Sequence, residues 1–133
     1  MTTNDIVTIG SNCIIKNGDR FFLLAEIEAI VPGVEIDPIV ITRITEEQAE
    51  MLIAGGLHLC RIQNQPPIAP PGFEVEFKCI FQDNCRAFQI FDVENGTDEA
   101  VLVRISLEKA CQEVANGARR CTVISRPFVW YKL

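Results

Sequence analysis

Histidine, tryptophan and tyrosine each occur once in this 133-residue chain, and no run of positive charge is longer than two residues. Twelve Lys and Arg stand against eighteen Asp and Glu, a net charge of −6. Phosphate backbones and anionic membrane surfaces are bound by clustered Lys and Arg. The one dense basic spot is Arg119-Arg120, so neither nucleic acid nor a membrane is an expected partner. No segment approaches the ~18 consecutive apolar residues of a membrane helix. The polar start Met1–Asp5 leads into no signal-type apolar stretch, which gives an expectation of synthesis in a cytoplasm without a signal peptide.

Catalytic and cofactor motifs are also missing. The glycines are scattered, and no G-x-G run opens a helix to cradle a phosphate. His58-x-Cys60 and Cys79-x5-Cys85 lack the close pairing of zinc ligands. Residues 58 and 60 of one strand stand about 6–7 Å apart by strand rise, too far for an activated Cys–His pair. The acidic positions Glu26, Glu28, Asp92 and Glu94 read as outward, solubilising rows. No catalytic residue, cofactor or metal is therefore assigned, and the chain is read as a non-enzyme.

What the chain does have is two versions of one pattern. Cys13, Ile14, Arg20, Phe22 and Glu28 meet Cys79, Ile80, Arg86, Phe88 and Glu94 at an offset of 66. Val40, Arg43, Ile44, Glu47, Ala49, Gly56 and Cys60 meet Val101, Arg104, Ile105, Glu108, Ala110, Gly117 and Cys121 at an offset of 61. The difference is Ile30–Val34, an insertion between the two blocks, where a loop tolerates one. Such self-similarity implies an internal duplication.

Each copy reads strand, strand, strand, helix, strand. Phe73, Val75, Phe77, Cys79 and Phe81 alternate with polar neighbours and predict one apolar strand face, with Val7–Ile15 as its match. Asn17-Gly18 and Asp83-Asn84 predict hairpins. Thr45 and Ser106 predict helix N-caps, with Gln48 completing a capping box at Thr45. Ala49, Leu52 and Ile53, and Leu107, Ala110 and Val114, are the expected buried stripes. Gly56 and Gly117 fall where a left-handed helix end is needed. Final strands are expected over 57–63 and 120–125, on which Cys60 shares a face with Ile62 and Cys121 with Val123. The fold class is thus α+β and mostly β, a duplicated strand-strand-strand-helix-strand unit with pseudo-twofold symmetry. The divisions are 6–64, a Pro-rich linker 65–72, a second repeat 73–127 and a C-terminal strand 128–133, all in a single compact body.

Six cysteines in a chain of this size raise the question of redox environment. Cys13/Cys79 and Cys60/Cys121 are matched pairs. They serve either as buried thiols or as bridges within each copy, Cys13–Cys60 and Cys79–Cys121, among 15 arithmetically allowed pairings. Cys85 and Cys111 match Asp19 and Glu50, residues that favour water, and are candidates for intermolecular cross-links. Phe22 and Leu24, with Phe88 and Ile90, form apolar faces that need a cover and are candidate interfaces. These features point to a structural, self-assembling subunit that partners itself or another protein. It would be oxidised after synthesis, as on a spore surface or in an appendage. The competing reading is a small-ligand or regulatory binding module with its site between the repeats.

Overall fold

The computed structural model describes residues 7–29, 39–94 and 98–124. The expected C-terminal strand 128–133 and the inserted residues 30–34 lie outside these. The chain is α+β and mostly β, with elements β1 (Val7–Asn17), β2 (Arg20–Ala29), β3 (Ile39–Ile44), α1 (Glu46–Ala54), β4 (Arg61–Gln63), β5 (Val75–Asp83), β6 (Arg86–Glu94), β7 (Asp98–Ile105), α2 (Leu107–Ala115) and β8 (Thr122–Ile124). They form two four-stranded sheets, ordered β1-β2-β3-β8 and β4-β7-β6-β5.

The hairpins turn where a residue can take positive φ. Gly18 (φ 65°) closes β1–β2 and Asn84 (φ 55°) closes β5–β6. Each hairpin also carries one extra residue. The β1–β2 register slips between Ser11 and Cys13, and the β5–β6 register slips between Phe77 and Cys79. A bulge of this kind breaks the two-residue alternation. It corrects the expected face: Phe77 pairs with Phe91, while Cys79 pairs with Ile90 on the opposite side. Phe77 is accordingly 37% exposed, whereas Cys79 is buried.

Both helices begin as their caps dictate. Gln48 N–H donates to Thr45 Oγ1 at 3.0 Å, and Thr45 N–H donates to Gln48 Oε1 at 2.9 Å, closing the capping box. At α2, Lys109 N–H donates to Ser106 Oγ at 3.0 Å. Glu46, Glu47 and Glu108 sit in the first turns, where the helix dipole favours negative charge. Gly56 and Gly117 have φ of 113° and 107°, just past the helix ends.

α1 packs Ala49 and Leu52 on Ile14, Leu23, Phe21, Ile44 and Leu57. α2 packs Ala110 and Val114 on Ile80, Ala87, Ile105 and Ala118. The expected stripes are narrower than drawn, since Ile53 and Leu107 are exposed. A nine-residue helix lying on a sheet through alanine touches it with little more than one side chain per turn.

The chain divides into two compact units, Met1–Leu59 with Thr122–Leu133, and Cys60–Cys121. The last strand of each sequence copy is counted with the other unit: β4 falls in Cys60–Cys121 and β8 with Met1–Leu59. After α1 the chain runs parallel to β1, where Ile14 N–H donates to the His58 carbonyl at 2.9 Å. Then β4 pairs with β7, Arg61 opposite Val101. After α2, Ile80 N–H donates to the Arg119 carbonyl at 2.8 Å, and β8 pairs with β3, Val40 opposite Thr122. Among the described residues these strands span three residues each, and β4 starts later than the expected residue 57. Ile62 is half-buried and Val123 is 49% exposed, so neither shares the burial of Cys60 or Cys121. Gln65–Gly72 contains neither helix nor strand, and Ile68 within it is 90% exposed.

Candidate functional site

The six cysteines fall into two chemical groups. Cys79 and Cys121 form a disulfide with their Cα atoms 4.9 Å apart. Backbone pairing brings them together: Cys121 N–H donates to the Ile80 carbonyl at 2.9 Å, which seats Cys121 beside the residue next to Cys79. Cys13 and Cys60 are also disulfide-bonded. All four are buried, at 8% exposure or less.

Cys85 and Cys111 are free and exposed. Cys85 follows Asn84 in the two-residue turn between β5 and β6. Such a turn tip projects its side chains away from the sheet. Cys111 follows the buried Ala110 on α2 and, being one residue on, is turned about 100° from it around the helix axis. The two thiols thus stand on separate elements of one unit.

The proposed interface residues are placed differently from the expectation. Phe22 is 2% exposed and Leu24, Phe88 and Ile90 are fully buried in the single chain. Phe88 stacks on Phe81 with ring centroids 6.1 Å apart. Their faces are already covered, so they offer no surface to another subunit. The acidic rows are corrected in part: Glu26 and Asp92 are half-buried, each two residues along its strand from the fully buried Leu24 or Ile90 and on the same face, while Glu94 is exposed.

A feature that sequence reasoning passed over lies beside α2. Phe77, Gln89, Phe91, Glu113, Asn116 and Ala118 line a cleft of about 470 Å³. Phe77 and Phe91 meet edge to face, with centroids 5.5 Å apart. Gln89 is buried, and its Nε2 donates to both Glu113 carboxylate oxygens at 2.9 Å. The missed signal was the bulge at Lys78, without which Phe77 is assigned to the other face.

His58 is exposed, and its backbone carbonyl, like that of Arg119, is what the fold uses. Among the described residues, no three of His, Cys, Asp or Glu stand close enough to hold a metal ion. No helix among them is long and apolar enough to cross a membrane. Compared with protein-family models, curated proteins and solved structures, the chain gives no match.

Proposed function

We propose that this protein is a non-catalytic structural subunit whose copies are joined by disulfides through Cys85 and Cys111. The supporting observation is the division of the cysteines: four bonded and buried, two free and exposed. Surroundings oxidising enough to sustain internal disulfides also oxidise accessible thiols. An exposed thiol with no partner in its own chain then pairs with one from another molecule. Two such thiols on separate elements make each chain bivalent, and bivalent units with unlike contacts join into open arrays. Each new bridge releases two protons and two electrons, accepted by dioxygen or, through thiol exchange, by a small-molecule disulfide.

In this reading the chain is made reduced in a cytoplasm and cross-linked after exposure to oxidant, in an assembly of spore-surface or appendage type. Partners are other copies of itself or a second protein with an accessible thiol. The test compares purified protein on reducing and non-reducing gels after mild oxidation. Expected is a ladder that collapses with reductant and shortens to dimers when either Cys85→Ser or Cys111→Ser is introduced. A single monomer band under oxidation rejects the reading.

A further inference from the structure

We infer that the cleft beside α2 is a binding site for a small guanidinium compound. The two halves carry different residues at the matched positions around this cleft. Leu23, Leu52 and Leu57 pack together in the first half. Their counterparts are Gln89, Glu113 and Ala118, all lining the cleft. Ala25 and Ser11 correspond to Phe91 and Phe77. Two packed leucines have become a hydrogen-bonded polar pair, a third has shrunk to alanine and opened space, and two small residues have become phenyl rings. A helix needs only an apolar stripe to stay on its sheet, as α1 shows. α2 keeps that stripe in Ala110 and Val114, and the half-buried carboxylate beside two rings lowers packing at its edge, which a stability role does not require.

Among the residues that line the cleft, the one charged side chain is the carboxylate of Glu113. The Glu113 carboxylate is half-buried, and among the described residues its hydrogen bonds go to Gln89 and to no cation. Asn116 is the C-cap of α2, and the last turn of this helix holds no basic residue. The helix end therefore turns the negative end of its dipole toward this side of the cleft. The faces of phenyl rings carry negative quadrupole potential that attracts cations.

Gln89 fixes the carboxylate by holding both oxygens from one side. A carboxylate oxygen has two acceptor directions, so the pair retains acceptor capacity for a second fork of donors. A guanidinium supplies that fork and stacks on aromatic rings, which an ammonium point charge does less well. The volume, about 470 Å³, suits a small ligand. This site lies within one unit and is independent of the exposed cysteines.

The test is a titration of the full chain, followed by amide and side-chain NMR shifts, with n-propylguanidinium and its neutral isostere n-propylurea. Expected are saturable shifts at Gln89, Asn116 and Ala118 with the guanidinium and none with the urea. The double change Gln89→Leu/Glu113→Leu, which installs the first-half residues, should weaken binding at least tenfold while the chain stays folded. Phe77→Ser, at an exposed strand position, should weaken it several-fold and serves if the double variant does not fold. Equal shifts with the urea, unsaturable shifts, tighter binding of n-butylammonium, or full affinity in these variants would each overturn the assignment.

Discussion

Cys79 and Cys121 lie 42 residues apart in sequence and 4.9 Å apart in space, on neighbouring backbone segments that the Cys121–Ile80 hydrogen bond holds together. The bridge therefore closes a long loop that contains β6, β7 and α2 in full. Chain-entropy reasoning for a loop of this length gives about 4 kcal/mol of stabilisation, mainly by restricting the unfolded chain. Replacing both residues, Cys79→Ala/Cys121→Ala, should lower the urea unfolding free energy by about that amount, with an unchanged far-ultraviolet dichroism spectrum. A loss below ~1 kcal/mol would mean that the unfolded ensemble is already confined.

Burial of Leu24 and Ile90 makes a different demand. Both are fully buried. Truncating either to alanine leaves a cavity and should cost about 2–5 kcal/mol in urea unfolding. The oligomeric state by size exclusion should not change, because these side chains are not available to a second subunit. Dissociation of an assembly by Leu24→Ala in a chain that is still fully stable would contradict this placement.

Thr45→Ala should cost about 1 kcal/mol, and Ser106→Ala somewhat less. The difference arises because Thr45 is one half of a reciprocal pair with Gln48, whereas Ser106 acts through its hydroxyl on Lys109 N–H. Thermal unfolding of the two variants side by side measures it. Equal losses would show that the Gln48 contact adds nothing in water.

These particular residues show what the sequence could and could not convey. Thr45, Ser106, Gly18 and Gly56 act through the backbone within three or four residues of themselves, so their roles were legible locally. The eight strands among the described residues, the helix positions and the mostly-β class follow from them and from alternation. Phe77 was misplaced because alternation assumes an unbroken pleat, and the extra residue at Lys78 changes the parity of everything before it. The cleft was lost with it. Phe22 and Phe88 mark faces that need a cover, and a sequence states that need without stating where the cover comes from. The destination of β4 was equally invisible, since three residues carry no periodicity that selects one sheet over another.

That exchange supports a last prediction. β4 meets β7 with Arg61 opposite Val101, and β8 meets β3 with Thr122 opposite Val40. Each partner is the matched residue of the other at the offset of 61, so the two pairings are the same pairing made twice. A fragment of residues 1–64 lacks β8, which leaves β3 with an open edge. It retains β4, whose own sheet is gone. Its β4 can meet β3 of a second fragment in the register that Thr122 and Val40 use in the whole chain. A unit of ~60 residues buries too little surface to be robust by itself, which adds a driving force. The fragment should therefore sediment as a dimer whose dissociation and unfolding coincide and shift to higher denaturant as concentration rises. A folded, concentration-independent monomer would show that the exchanged strand is dispensable, and that the likeness between the halves does not extend to the contacts that complete each sheet.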